Sequence, residues 1–202
     1  MVIGILALQG DFEAHARALA ALGAETRFVR SAADLEGLAA LVLPGGESTT
    51  MLKFLQAGDF LDRLCAFVQH QPVLATCAGA ILLARRVTQP EQPSLGVLDV
   101  TAARNAYGRQ LESSIRTAAV RPAFISALGA GSLEAVLIRA PRFEDLGPGV
   151  EVVAEIAGEP VLLRQGDIIA ASFHPELSAA SPVHRWFLTD FVMRNSSSGR
   201  GR

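Results

Sequence analysis

The 202-residue sequence is poor in the residues that mark several large functional classes. It has two cysteines and four scattered histidines, too few and too far apart for a disulfide framework or a zinc site. We therefore expect no metal and no other cofactor. The formal net charge is -2 and no long basic run occurs, so binding to nucleic acid has no electrostatic support.

Targeting and membrane segments are also missing. Residues 1–8 are apolar, but they lack a basic flank and are too short for a signal peptide or a membrane span. We therefore expect a cytoplasmic protein with no membrane contact. The apolar fraction of 50% and the charged fraction of 19% are typical of one compact domain, which we assign to residues 1–194. The Ser-, Gly- and Arg-rich residues 195–202 predict a disordered tail.

Strand-like and helix-like segments alternate in the first half of the chain. The predicted strands are 2–8, 26–29, 41–43 and 73–76, and the predicted helices are 12–22, 49–56, 60–70 and 79–86. Later strands are predicted at 97–103, 135–139, 150–156, 161–164 and 168–173, with hairpin turns at 158–160 and 165–167 and a closing helix at 182–193. This order predicts a single three-layer α/β/α domain. Its mixed, mostly parallel central sheet should gain an antiparallel extension in the C-terminal half.

Cys77 stands where a buried strand runs into an apolar helix. Ala78 and Gly79 are small enough for the sharp bend of a nucleophile elbow. A helix N-terminus favours thiolate over thiol, and the Ala78 N–H can donate to an oxyanion. Cys77 is therefore a candidate nucleophile. Cys65 falls on the apolar face of helix 60–70, so we interpret it as a core residue.

The segment from Ser172 to Glu176 offers a matching base. Pro175 favours an extended His174, so the side chains of His174 and Glu176 should project to the same side. Glu176 could then orient the imidazole, and the sequence predicts a Cys77-His174-Glu176 triad. His70 and His184 lack such an acidic neighbour. We interpret His70 as the end of its helix and His184 as a residue of a polar-faced helix.

A glycine pair, Gly45 and Gly46, separates strand 41–43 from a helix start with Ser and Thr caps. The alternative interpretation is a phosphate loop. That loop requires a lysine directly after the glycines, whereas here Glu47 follows and would repel phosphate. A loop that donates N–H groups to an oxyanion fits better.

The candidate residues all follow strands. Ligands of open α/β sheets bind at the carboxyl ends of the strands, so the Gly45–Gly46 loop, Cys77 and His174 should meet at one edge. Arg104 and Arg139 also follow apolar stretches. A surface salt bridge is the alternative for either arginine.

Sequence blocks over almost the whole chain carry a resemblance to one family. They are Leu8-Gln9-Gly10, residues 43–51, residues 76–79, Arg104-Asn105 with Gly108-Arg109-Gln110, residues 138–141 and residues 172–177. These blocks closely resemble the glutaminase subunits of pyridoxal phosphate synthase, which are triad-type (class I) glutamine amidotransferases.

The resemblance implies roles for individual residues. Cys77 would be the nucleophile, with His174 and Glu176 completing the triad and with Gly45, Gly46 and Ala78 around the oxyanion. The residues implied to contact glutamine are Gly46, Glu47, Ser48, Arg104, Ile138 and Arg139. We expect Arg104 to clamp the α-carboxylate, while Arg139 contributes more through its backbone.

The resemblance also implies an activity and a partner. Glutamine would be hydrolysed to glutamate and ammonia through a thioester, and the ammonia would pass to a separate barrel-shaped synthase subunit that makes pyridoxal phosphate. Relatives form large mixed assemblies in which docking orders the oxyanion loop, so the subunit alone should be nearly inactive. Gln9, near the end of the first strand, is a candidate contact to that loop.

The sequence departs from the family pattern at two positions, and two alternative functions remain. Ala75 replaces the usual glycine two residues before the nucleophile, and Ala14 stands where relatives often have an acidic residue. The glutaminase of imidazole glycerol phosphate synthase is a rival, but it usually has Leu-Gly-Met-Gln after the nucleophile in place of residues 78–81 here. A catalytically silent thiol or interaction domain is the other rival, and it would not require Glu176 or Arg104.

Overall fold

The computed structural model of the protein describes residues 1–104 and 113–194. Its strands are β1 Val2–Leu6, β2 Glu25–Val29, β3 Ala40–Leu43, β4 Val73–Thr76, β5 Ala84–Thr88, β6 Leu98–Ala103, β7 Ser113–Val120, β8 Ser132–Ile138, β9 Arg142–Glu144, β10 Glu151–Ile156, β11 Glu159–Gln165 and β12 Ile168–Ala171. The predicted tail and the motif residues Asn105 and Gly108-Arg109-Gln110 lie outside the described residues.

Nine of these strands form one sheet, in the order β2-β1-β3-β4-β12-β11-β10-β7-β8. The pairs from β2 to β12 are parallel, and those from β12 to β8 are antiparallel. The expected mixed sheet with an antiparallel C-terminal extension is confirmed. Both predicted hairpin turns join antiparallel neighbours, β10 with β11 and β11 with β12.

Helices cover both faces of the sheet. They are α1 Phe12–Ala20, α2 Ser48–Leu55, α3 Phe60–Val68, α4 Ala78–Leu83, α5 Ile125–Leu128 and α6 Pro182–Trp186, the last continued by a π-helix over Phe187–Met193. Side chains of a strand alternate between faces. In β3, Leu41 and Leu43 join one core cluster with residues of α2, α3 and α4, whereas Ala40 and Val42 join another with residues of α1 and α6. No helix in the described ranges is long and apolar enough to cross a membrane.

The chain departs from the predicted elements after α4. Residues 84–86 were expected to extend that helix, but Ala84 has ψ 146° and starts β5. β5 pairs with β6, and β6 with β9, in a separate three-stranded sheet. The apolar run in α4 does not distinguish helix from buried strand, so its end was not visible. Strand β7 was also missed because most of its residues are exposed and lack apolar alternation.

Gly79 is required by packing, not by the bend at which it was expected to act. The sharp turn lies at Cys77, whereas a Cβ on Gly79 would stand 2.1 Å from the backbone oxygen of Leu43. The absence of a side chain lets α4 rest directly on the end of β3, and this sets the position of Cys77 relative to the Gly45–Gly46 loop.

We expect Gly79→Ala to lower the free energy of unfolding by about 1–3 kcal/mol, because the new methyl group meets backbone that cannot move aside. Urea titration followed by circular dichroism measures the change. Gly131→Ala is the matched control, since a Cβ there has no neighbour within 4 Å. Equal stability of the two variants would contradict the packing argument.

Candidate active site

A cavity of about 220 Å³ opens at the carboxyl ends of the central strands. Its lining comprises Gln9, Gly10, Asp11, Gly46, Glu47, Ser48, Cys77, Ile81, Arg104, Ile138, Arg139 and His174. The loops after β1, β3, β4, β8 and β12 therefore meet in one crevice, as the strand-end argument predicted. The residues expected to contact glutamine all line this cavity.

Cys77 occupies a strained turn between β4 and α4. Its φ is 45° and its ψ is -105°, outside the usual region for a residue with a side chain. Such strain costs about 1–3 kcal/mol and is found preferentially at functional sites. The backbone N–H of Cys77 donates to Ala171 O at 2.8 Å, which ties the turn to β12. The side chain is 5% exposed, with Sγ 3.8 Å from Ile138 O.

Ala78 and Ala75 flank this turn. Ala78 begins α4, so its N–H has no intrahelical acceptor and is available for an oxyanion. Ala75, one of the two departures from the family pattern, lies within β4 and pairs with Leu43 and Ala170. Its methyl group thus belongs to a regular buried strand, away from the strained turn itself.

His174 follows β12 and forms a buried hydrogen bond with Glu176, 2.7 Å from Nδ1 to Oε1. The intervening chain is a 3-10 turn over Pro175–Leu177, tighter than the extended path expected from sequence. Burial would lower the pKa of His174, but hydrogen bonds to Cys77 and Glu176 and their negative charges raise that pKa to about 10. The site therefore favours an imidazolium at His174.

Three glycines hold the imidazole and the oxyanion loop in close contact. A Cβ on Gly45 would lie 2.3 Å from His174 Cε1, and one on Gly10 would lie 1.8 Å from Gly45 O. A Cβ on Gly46 would lie 2.5 Å from Gln9 Oε1. Larger residues at these positions would displace the loop from the ring, so backbone approach here defines the shape of the site.

Gln9 contacts the oxyanion loop, as the sequence suggested. Its Oε1 accepts the backbone N–H of Glu47 at 2.5 Å. In this arrangement the Glu47 amide is engaged by a side chain and does not point freely into the cavity. Asp11 N–H donates to Gly45 O at 3.2 Å and ties the other side of the loop to the start of α1.

Glu47 is the N-cap of α2, a role that the sequence had assigned to Ser and Thr residues. Its carboxylate accepts the backbone N–H groups of Thr49 and Thr50 at 3.3 and 2.8 Å and their hydroxyls at 2.5 and 2.7 Å. Partial burial would raise the pKa of Glu47, but these hydrogen bonds lower it to about 2. The charged carboxylate also pairs with Arg104 at 3.3 Å.

Ser48 is buried, and its hydroxyl donates to Gln92 Oε1 at 2.9 Å. Ile138 ends β8 and presents its backbone oxygen to Cys77. Arg139 follows with φ 44°, another non-glycine residue in the left-handed region. Two residues with strained backbone, Cys77 and Arg139, therefore line the cavity.

The sequence interpretation missed two histidines behind the triad. His184 is fully buried, not on a polar face, and Nε2 of its ring lies 2.8 Å from Nδ1 of His15. His15 in turn lies 3.3 Å from Glu176 Oε2. An acidic neighbour close in sequence was the criterion for singling out a histidine, and these contacts span 169 and 161 positions. Of the others, His70 is exposed and Cys65 is half-buried.

Asp11, His174 and Glu176 form the one group in residues 1–104 and 113–194 whose potential metal ligands lie within 4.8 Å of one another. Nδ1 of His174 is already hydrogen-bonded to Glu176 and lies 3.8 Å from Asp11 Oδ2. The raised pKa of this imidazole means that its nitrogens carry protons and offer no lone pair to a cation. His174 in this group therefore binds a proton in preference to a metal ion.

Comparison with known proteins agrees with the geometry. A model of the SNO glutamine amidotransferase family matches residues 5–193. Pyridoxal 5'-phosphate synthase subunit PdxT of Koribacter versatilis is 50% identical over 199 residues, covering 98% of this chain and 99% of that protein. Its namesake from Thermus thermophilus is 48% identical over 190 residues, covering 93% and 96%.

A crystal structure of a glutamine amidotransferase is 48% identical and superposes with a TM-score of 0.84, covering 93% of this chain and 97% of that one. The family inferred from the motifs is thereby confirmed, since both sequence and fold agree over nearly the full length. The chain belongs to the SNO glutamine amidotransferase family.

Proposed function

We propose that this chain is the glutaminase subunit of a pyridoxal 5'-phosphate synthase, and that residues 1–194 act as one catalytic unit in the cytoplasm. It hydrolyses L-glutamine to L-glutamate and supplies the ammonia to a separate synthase subunit. The observation that carries the proposal is the buried 2.7 Å hydrogen bond between His174 and Glu176 beside Cys77, at the rim of a cavity that also holds Arg104.

In the first half of the reaction, the Cys77 thiolate attacks the side-chain amide carbon of glutamine and a C–S bond forms. Negative charge moves to the amide oxygen, where the Ala78 N–H and the Gly45–Gly46 loop stabilise it. His174, as imidazolium, gives its proton to the amide nitrogen. The C–N bond breaks, ammonia leaves, and a γ-glutamyl thioester remains on the sulfur.

In the second half, His174 is neutral and takes a proton from a water molecule. The resulting hydroxide attacks the thioester carbon, and the C–S bond breaks to give glutamate and the Cys77 thiolate. Glu176 stays ionised throughout, because the nearby charge of His15 and the hydrogen bond and charge of His174 hold its pKa low despite burial. The imidazole therefore keeps one orientation during both proton transfers.

Substrate recognition rests on groups of opposite charge at the rim. Arg104 is 15% exposed at its side chain and can bind the α-carboxylate of glutamine through charge-assisted hydrogen bonds. Gly46, Glu47, Ser48 and the backbone of Ile138 and Arg139 complete the contacts. The cavity of about 220 Å³ suits a single small amino acid.

The synthase partner is required because ammonia released to water at neutral pH is protonated and loses its nucleophilicity. We propose a barrel-shaped partner within a large hetero-oligomer. The Glu47 amide, now engaged by Gln9, is the group that docking would release or reorder near the oxyanion. The names of the curated relatives favour this partner over imidazole glycerol phosphate synthase. Membership of the amidotransferase family disfavours a silent thiol domain.

We expect Cys77→Ala to abolish glutamine hydrolysis, because no other group near His174 can form the thioester. Glutamate release is measured with the synthase subunit present, and circular dichroism checks that the fold is unchanged. Cys65→Ala is the matched control, since Cys65 lies on α3 away from the cavity. Undiminished turnover by Cys77→Ala would refute the proposed function.

We expect Arg104→Gln to raise KM for glutamine about 10- to 100-fold with a smaller effect on kcat, because a charge-assisted hydrogen bond to the carboxylate contributes about 1.5–3 kcal/mol. Steady-state kinetics of the complex separate the two constants. Arg116→Gln, on the exposed strand β7, controls for loss of a positive charge. An unchanged KM would exclude Arg104 as the clamp.

The raised pKa of His174 predicts that stability falls at alkaline pH. A group whose pKa rises on folding, here from 6.5 to about 10, stabilises the fold fully below pH 6.5 and loses that contribution as pH rises to about 10. The loss is at most about 1.4 kcal/mol per pH unit. Urea titrations of the wild-type protein and His174→Gln between pH 6 and 10 test this. Parallel stability curves would contradict the ion pair.

A further inference from the structure

A line of buried polar side chains continues the triad into the core. His15 on α1 and His184 on α6 are both fully buried. Their rings contact each other, with 2.8 Å between Nδ1 of His15 and Nε2 of His184. Nδ1 of His184 forms a hydrogen bond with the Ser181 hydroxyl, which also reaches Pro175 O at 3.4 Å. None of these three residues lines the cavity, so none contacts the substrate.

The inner end of this line lies against Glu176. Nε2 of His15 is 3.3 Å from Glu176 Oε2 and 3.2 Å from Thr76 Oγ1. The geometry favours the hydroxyl, and within the described residues Oε2 has no well-aligned hydrogen bond. The contact between His15 and Glu176 is therefore mainly one of charge. The Thr76 hydroxyl, one residue before Cys77, holds the ring in place.

Proton positions follow from the partners along the line. Burial lowers the pKa of His184 to about 3, so His184 is neutral. A neutral His184 that donates from Nδ1 to Ser181 accepts at Nε2. Nδ1 of His15 must then be a donor. Nε2 faces the Thr76 hydroxyl, which can donate or accept, and Glu176 Oε2, which as a carboxylate oxygen can only accept, so a proton on Nε2 satisfies the carboxylate. Two donor nitrogens make His15 an imidazolium.

This arrangement carries a free-energy cost that apolar packing would avoid, since buried polar and charged groups are desolvated. The cost is offset if the four groups alternate in sign: thiolate at Cys77, imidazolium at His174, carboxylate at Glu176 and imidazolium at His15. Each charge then has an opposite neighbour, and the group has no net charge. If His15 only filled space in the core, its hydrogen bond with His184 would serve no purpose.

We propose that His15 is a positioning residue of this site, an imidazolium that shares the charge of Glu176 with His174 and is held in that state by His184. The inference rests on the proposed function, because His174 must both give and take a proton during glutamine hydrolysis. A carboxylate devoted to His174 alone would hold the proton too tightly for its transfer to the amide nitrogen. His15 draws part of that charge away, so His174 releases its proton more readily in the first step and is neutral at a lower pH in the second.

Few other charges in the described part of the chain face His15. Of the elements packed against α1, β1 has no titratable residue, and β2 has Glu25 and Arg27, both exposed. The Arg27 guanidinium donates to the backbone oxygens of residues 34 and 36. The Pro175–Leu177 turn contributes Glu176, and α6 contributes the buried His184 and the exposed Arg185. On α1 itself, Glu13 and Arg17 pair at the surface, and Asp11 lies nearer to His174.

The direct test is ¹⁵N NMR of the full chain with labelled histidine at pH 7. With four histidines in the chain, His15→Gln and His70→Gln identify the resonances. We expect both ring nitrogens of His15 to carry protons and His184 to carry one, on Nδ1. A neutral His15 at pH 7 would overturn the inference. This measurement does not depend on glutaminase activity.

The functional test is the pH profile of kcat in the complex with the synthase subunit. We expect His15→Gln to shift the acid limb upward by about one pH unit, so that kcat below the limb falls about tenfold. KM should stay within about twofold, because His15 lies outside the cavity. His184→Gln should give a smaller shift in the same direction. If His15→Gln does not fold, the shift in His184→Gln tests the proposal on its own.

His70→Gln is the matched control, since His70 is exposed beyond the end of α3. A residue with only a structural role would change the melting temperature without moving the acid limb. An unmoved limb in both variants, with an active wild-type complex, would therefore overturn the role of His15 alone. An inactive wild-type complex would instead count against the proposed function.

Discussion

The hydrogen bond between His174 and Glu176 is the contact on which the rest of the site depends. The two residues are only two positions apart in sequence, yet the hydrogen bond is buried and forms only because the chain makes a 3-10 turn at Pro175–Leu177. It fixes the imidazole plane, and the ring then determines how near the oxyanion loop can come. Without Gly45 that loop would collide with the ring, so the side-chain contact dictates the backbone composition of a distant segment.

The fold brings the other residues of the site to this hydrogen bond. Parallel strands β3, β4 and β12 are neighbours in the sheet, so the residues that follow them meet without long loops. Gly79 brings α4 onto the end of β3, and the Cys77 amide is tied to β12. The strained backbone of Cys77 is thus held from two sides by buried, regular structure. Such support is what allows a residue to remain at an unfavourable φ.

Most residues of the site could be predicted from the sequence because they lie in short, local motifs. A strand, one reactive side chain and small residues identify the turn at Cys77, and a histidine next to Pro175 near a carboxylate identifies the base. Contacts that depend on tertiary approach could not be predicted in this way. The pairing of His15 with His184 and the packing reason for Gly79 join segments whose proximity has no periodic signal. The Glu47 cap is local, but Ser and Thr are the more usual caps, so the role was assigned to them. Strand β7 was missed for the related reason that its exposed residues carry no apolar pattern.

Glu47 connects substrate binding to the oxyanion loop. Its carboxylate caps α2 and pairs with Arg104, while its own N–H is held by Gln9. A glutamine α-carboxylate that approaches Arg104 must share this guanidinium with Glu47. Because the cap holds the Glu47 carboxylate through four hydrogen bonds, Arg104 is the more mobile partner and the loop backbone stays with α2. Substrate binding is therefore accommodated by Arg104 and leaves the loop in place. We propose that docking of a partner acts instead on the hydrogen bond between Gln9 and the Glu47 amide.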